Sequence, residues 1–224
     1  MASFKLHIAR IRNCPSPADV AGAMQEFGLP EAEDYGVLDS NATDESVFAT
    51  IARRTEQTVQ RLDAETGEVT SRQVEKVALY TFGIQPAREA LEVYSGSASA
   101  IEQIGAFLSG SLALPTVVEP IELDIADAIE KLLKSAQRPQ LKSARVGDYS
   151  HNSYMSGTYA PKFLDTPNGL EFIEQHSESL KAAGVKFMGP TGRVTVNLRS
   201  TASFSFSCQE DDEPIVRSML RKLV

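Results

Sequence analysis

Two runs rich in Val, Ile, Thr and Phe, one from Ser46 to Leu62 and a second reaching Phe82, flank the turn-forming stretch Asp63-Ala64-Glu65-Thr66-Gly67. Such a pattern predicts a β-hairpin over residues 46–83. Each arm would run about 14 residues, against about 5–6 for an ordinary strand, so the hairpin must twist strongly, carry a bulge, or leave its body as a ribbon. Arg53 and Arg54 on one arm, with Arg72 and Lys76 on the other, place cations along it.

Around this hairpin the hydrophobic period alternates between strand and helix. Phe4, Leu6, Ile8 and Ile11 open a strand that Asn13-Cys14-Pro15-Ser16-Pro17 interrupts, and a helix is expected from Ala18 to Phe27. The acidic stretch from Pro30 to Glu45 shows little periodicity and reads as a surface loop. A unit of short strand, small polar cap and amphipathic helix recurs three times. Its instances are Ala90–Tyr94 with Ser97, Pro120–Leu123 with Asp124, and Phe204–Phe206 with Ser207 and Glu210, the last in capping-box spacing. A strand at Gln140–Val146, a helix over 168–182 and strands at Val185–Met188 and Arg193–Leu198 follow, the last pair joined by Gly189-Pro190-Thr191-Gly192. The final strand of that pair is expected to run on through Ser205.

Strands joined by hairpins and interrupted by helices define an α+β protein: a mostly antiparallel twisted sheet with a long β-hairpin and helices packed on one face, divisible into two similar α+β halves. The division falls at 1–113 and 114–224, within one continuous domain or between two. Residues 1–113 hold 9 Lys and Arg against 16 Asp and Glu, and residues 114–224 hold 13 against 14, so the net charge of −8 resides almost wholly in the first part. An anionic partner would therefore meet the second.

Two cysteines, Cys14 and Cys208, make neither a disulfide framework nor a metal spacing. The opening residues offer no apolar stretch of signal-peptide length, and no run approaches the ~18 apolar residues of a membrane span. No membrane contact and a cytoplasmic location are the expectation.

Chemistry-bearing residues concentrate in 131–163. Between Lys131 and Gly147 stand Lys131, Lys134, Arg138, Lys142 and Arg145 with no acid, and the segment Val146–Phe163, which fits neither helix nor strand period, adds Tyr149, Tyr154, Tyr159, His151 and Lys162. Cations beside rings that can stack on bases are the minimum equipment for single-stranded nucleic-acid binding. Asp148, His151 and Ser156 lie close enough in sequence to suggest a hydrolytic set, but Met155-Ser156-Gly157 lacks the first glycine of a nucleophile elbow, and triad members normally converge from separate elements. No histidine has a metal-ligand partner at zinc spacing, so neither a metal nor a cofactor is expected. The run Glu210-Asp211-Asp212-Glu213 before Pro214 reads as the acidic start of a final helix.

The function these residues favour is that of a non-catalytic binding subunit of a larger assembly. It would contact nucleic acid or an acidic protein surface through Lys134, Arg138, Lys142, Arg145, Tyr149, His151, Tyr154, Tyr159 and Lys162, with other protein subunits as partners along the long hairpin. The alternatives are a hydrolase using His151, Asp148 and Ser156, and a structural oligomer joined through hairpin edges.

Overall fold

A computed structural model describes residues 1–27, 35–62, 64, 67–152 and 155–224, and for 150–152 and 155 it describes the backbone alone. Among these residues the chain is α+β, with five α-helices and eleven strands in mostly antiparallel pairing. It divides into two compact units, Arg10–Val118 and Met1–Ala9 with Glu119–Val224. The first strand, β1 (Ala2–Arg12), begins in the second of these.

In the unit Arg10–Val118, Ser16 caps α1 (Pro17–Glu26) by accepting the Asp19 N–H at 3.2 Å, and Val20, Ala21 and Met24 bury one face. Strands β2 (Tyr35–Ala42), β3 (Val47–Leu62), β4 (Val69–Gln85) and β5 (Ala90–Val93) follow in spatial order. The expected hairpin is present, with β3 and β4 in unbroken register from Val47↔Ile84 to Leu62↔Val69. Of its turn, residues 63, 65 and 66 lie outside those described; Gly67 has φ of +70°, which glycine adopts without steric cost. Among the described residues, only the base of the hairpin contributes to the core, through Val47, Ala49, Ile51, Phe82 and Ile84.

The expected acidic loop is corrected in part: Tyr35–Ala42 is a strand paired with β3, while residues 30–34 lie outside those described. Pairing with a neighbour overrode weak local propensity. Helix α2 (Ser99–Ala106) has Ala98 at its N-cap, whose methyl offers no side-chain acceptor; the hydroxyls of the flanking Ser97 and Ser99 bond each other at 2.6 Å. It ends in a π-helical turn, Phe107–Ser111, and β6 (Val117–Pro120) follows.

In the unit formed by Met1–Ala9 and Glu119–Val224, Asp124 caps α3 (Ile125–Ser135) as expected, accepting from the Ala126 and Asp127 N–H groups at 2.9 and 3.1 Å. The rest comprises β7 (Gln137–Asn152), β8 (Met155–Tyr159), α4 (Thr166–Gln175), β9 (Leu180–Met188), β10 (Arg193–Arg199), β11 (Ser203–Cys208) and α5 (Glu213–Arg221). The spatial order is β1-β11-β10-β9-β7-β8. One sheet face carries Leu6, Phe204, Phe206, Val194, Val196, Leu198, Val185, Phe187, Leu141 and Val146, all buried, and α3 and α4 pack on it. Helix α5 joins them, its Arg217 guanidinium lying 5.6 Å from the centre of the Phe206 ring.

Three expectations here are corrected. The helix over 168–182 stops at Gln175, since Leu180 onward is claimed by β9. Strand β10 does not run on through Ser205; it turns at Ser200–Ala202, where Ala202 has φ of +47°, and returns as β11. Ser207 lies within β11 and caps nothing. The final helix starts after a 3-10 turn at Glu210–Asp212, and the Asp212 carboxylate reaches back to the Thr191 N–H in the Gly189–Gly192 turn.

Candidate functional site

The tyrosine-rich segment is a β-hairpin rather than a loop. Strand β7 extends to Asn152 and pairs with β8, matching Val146 to Tyr159 and Tyr149 to Gly157, with register shifts between them. Asp148 sits in the first shift at φ +51° and is exposed. Because Val146 is buried on the helix-bearing face, its neighbour Tyr159 faces that side too. The Tyr159 ring lies 5.0 Å from Tyr149 and 5.9 Å from Phe172 of α4, and His176 closes the circuit at 4.5 Å from Phe172 and 5.6 Å from Tyr149. Gly169 allows this approach, since a Cβ there would stand 2.9 Å from Leu141 Cδ2 and 3.0 Å from Phe163 Cδ2. Nothing in the sequence marked His176 as a neighbour of Tyr149.

The cations nominated with the tyrosines are dispersed. Lys131 pairs with Asp127 at 2.8 Å and Lys134 with Glu130, both one turn apart on α3. Register shifts in β7 between Gln137 and Gln140 and between Leu141 and Ser143 separate Arg138, Lys142 and Arg145, and a third follows Arg145. Arg138 is exposed at φ +48°. The Lys142 carbonyl accepts the Phe163 N–H at 2.8 Å, and Lys162 is exposed opposite Ser143. Arg145 pairs with Ala182 and points away from the helices, opposite to Tyr149 and Tyr159. Tyr154 and the side chain of His151 lie outside the described residues; Ser156 is exposed on β8 opposite Ser150.

Following Arg145 across the sheet brings a different set together. One cross-strand row reads Arg145, Ala182, Arg199, Ser203, His7; the next Ser143, Gly184, Asn197, Ser205, Lys5; the next Gln140, Lys186, Thr195, Ser207, Ser3. Met188 and Arg193 begin a fourth. Strict alternation puts these side chains on the face away from α3, α4 and α5. The face holds Lys5, Arg145, Lys186, Arg193 and Arg199 among serines, threonine, asparagine and glutamine, and no acid occurs in these rows. Lys5, Arg145, Arg193 and Arg199 are exposed. Gly184 lies under this row, where a Cβ would be 2.6 Å from Ser143 Oγ. Sequence reasoning found only Arg145 of the five; period-2 alternation in Arg193-Val194-Thr195-Val196-Asn197-Leu198-Arg199 was the signal for two more.

A hydroxyl and an imidazole do meet, though not the pair nominated from sequence: His7 Nδ1 and Ser203 Oγ are 2.8 Å apart, both side chains buried. The Ser203 hydroxyl also contacts the Thr201 carbonyl at 3.3 Å, which suits a strand-end clasp. A groove of about 560 Å³ between α3 and α5 is lined by Lys131, Ser135, Ile215, Met219, Lys222 and Leu223 among others, with no histidine, cysteine or carboxylate in its wall. Burial pushes the Cys14 thiol up to about 11 and raises that of Cys208, with Asp212 adding to the latter, so neither is an activated nucleophile. Among the described residues no three His, Cys, Asp or Glu side chains gather as a metal site, and no helix is long and apolar enough to cross a membrane.

No protein-family model matches this chain, and no curated protein is similar to it.

Proposed function

We propose that the protein is a non-catalytic binding subunit that contacts nucleic-acid phosphates through the sheet face opposite α3, α4 and α5, which bears Lys5, Arg145, Lys186, Arg193 and Arg199. The observation that carries this is the cross-strand register, which collects five cations from β1, β7, β9 and β10 with no carboxylate among them. Protein contacts to nucleic-acid backbone come from Arg and Lys together with Ser, Thr, Asn and Gln, which is the composition of this face. Tyr149 and Tyr159 pack against α4 on the other side, so the contact is electrostatic rather than stacked and carries little sequence preference.

Fluorescence polarisation with single- and double-stranded oligonucleotides over a salt series tests it. Each phosphate contact contributes about −0.7 to the slope of log K against log salt for single strands, so an Arg145→Glu, Arg199→Glu double variant should flatten the slope by about 1.4. Absence of binding at low salt removes the proposal, and binding of acidic peptides with equal salt dependence transfers the face to a protein partner.

A further inference from the structure

Beyond Arg53 the β3–β4 hairpin is a two-stranded ribbon with no third strand beside it among the described residues. Strand β2 accompanies β3 only as far as Arg53, and β5 meets β4 from Phe82 onward. Every residue from Glu56 to Leu62 and from Val69 to Val77 is exposed. The unbroken register assigns each side chain to one of two faces.

The charges divide between those faces. The one continuous with the buried Val47, Ala49 and Ile51 carries Lys76, Arg72 and Arg61, and from Thr55↔Lys76 to Arg61↔Thr70 it holds no acid. Both carboxylates of the ribbon strands, Glu56 and Glu75, oppose each other on the other face, where Arg54 pairs with Glu75 at 3.2 Å. None of Lys76, Arg72 and Arg61 forms an ion pair with a carboxylate among the described residues. Four cations against two acids make the strands 54–62 and 69–77 net positive by two, in a chain of net charge −8. The turn sequence adds Asp63, Glu65 and Glu68, which puts the outer end of the basic stretch at Arg61. Among the cations stand Val59 and Val74, diagonal neighbours 45% and 42% exposed.

We infer that this acid-free face lies in the major groove of duplex DNA. A B-form major groove, about 12 Å wide, admits a two-stranded β-ribbon. From Thr55 to Arg61 the face runs ~20 Å at about 3.3 Å per residue, a length of about six base pairs. Lys76 and Arg72 on β4 serve one phosphate wall and Arg61 on β3 the other, while Glu56 and Glu75 face out of the groove. Between the walls, Thr55, Gln57 and Thr70 offer hydrogen-bonding groups to base edges, and Val59 and Val74 offer apolar contact to thymine methyl groups. An acidic protein surface would answer the cations alone; the bare ribbon with cations on both strands and small aliphatic groups between them is the form that fits a groove. The deep, narrow major groove of duplex RNA does not admit it. The inference extends the nucleic-acid reading to the other compact unit and uses no residue of the basic sheet face, so either contact stands without the other.

Fluorescence polarisation of the full chain with a duplex DNA of about 20 base pairs, the matching duplex RNA and polyglutamate tests it. In an Arg145→Glu, Arg199→Glu background, which disables the basic sheet face, the duplex DNA should still bind at about 50 mM salt. Adding Arg61→Gln and Arg72→Gln should weaken that binding at least ~10-fold at about 0.1 M salt and flatten the slope of log K against log salt by about 1.8, at about 0.9 per phosphate. Arg54→Gln, on the other face, should stay within about threefold. Dimethyl sulfate should find guanine N7, in the major groove, protected and adenine N3, in the minor groove, open, with the protection lost in the Arg61, Arg72 variant. Duplex binding indifferent to Arg61 and Arg72, or protection at adenine N3, overturns the inference. If single-strand binding meanwhile depends on Arg145 and Arg199, the basic sheet face stands and only the ribbon contact falls. Duplex RNA or polyglutamate bound as tightly as DNA, with the same sensitivity to Arg61 and Arg72, also overturns it and gives the ribbon to another anionic partner.

Discussion

Asp212 offers the sharpest test of how the unit carrying the basic face is held together. Its side chain is fully buried, and both carboxylate oxygens lie within reach of the Thr191 N–H, at 3.1 and 3.3 Å. It also stands at the N-cap position of α5, where negative charge is favoured. Replacing it with alanine removes one charge-assisted hydrogen bond, worth about 1.5–3 kcal/mol, strands the Thr191 N–H, and gives up about 0.3–1 kcal/mol of helix-end electrostatics. Asp212→Ala should therefore cost about 2–4 kcal/mol, a large part of a typical stability of about 5–15 kcal/mol. Asp212→Asn keeps the shape and an acceptor but not the charge, and should lose about half as much. Urea unfolding reads the shift in midpoint, and amide exchange at Thr191 reads the site itself, which matters because two units need not unfold as one. Gly189 supplies a cross-check. A Cβ there would stand 2.6 Å from Asp212 Oδ2, so Gly189→Ala should cost less in the Asp212→Ala background than alone. An Asp212→Ala protein within about 0.5 kcal/mol of the parent, with Thr191 exchange unchanged, would refute the reasoning.

Gly169→Ala forces a methyl within 2.9 Å of Leu141 Cδ2, and it should destabilise by about 1–3 kcal/mol while loosening the Tyr149–Tyr159 pair, readable in tyrosine ring resonances. Cys14 titrates near 11 when folded against 9.0 ordinarily, so the unfolded chain loses its proton first. Its contribution to stability is complete below pH 9 and declines as pH rises toward 11; Cys14→Ala should flatten that decline in unfolding curves taken across the window. The same thiol should alkylate about tenfold faster per pH unit up to that value, since only the thiolate reacts, and a plateau near pH 9 would contradict the burial.

Legibility from sequence tracked how local the determining interactions are. Composition and period alone determined the long hairpin, a first helix near Ala18, the α3 cap at Asp124 and the Gly189–Gly192 turn, because each rests on groups within a few residues or on two adjoining arms. Tertiary structure alone decided that Tyr35–Ala42 is a strand, that the tyrosine segment is a hairpin laid against α4, and that Asp212, besides standing at the start of α5, ties down a turn 21 residues away. It also decided which face each cation occupies. Side chains alternate along a strand, and every extra residue in a bulge resets that alternation. Two of the shifts in β7 therefore break the acid-free run from Lys131 to Arg145 into pieces, while the register of β1, β9, β10 and β11 gathers Arg145 with four cations from elsewhere in the chain. Spacing in sequence records neither the bulges nor the neighbours, so a basic surface of this kind emerges only when the strands are paired.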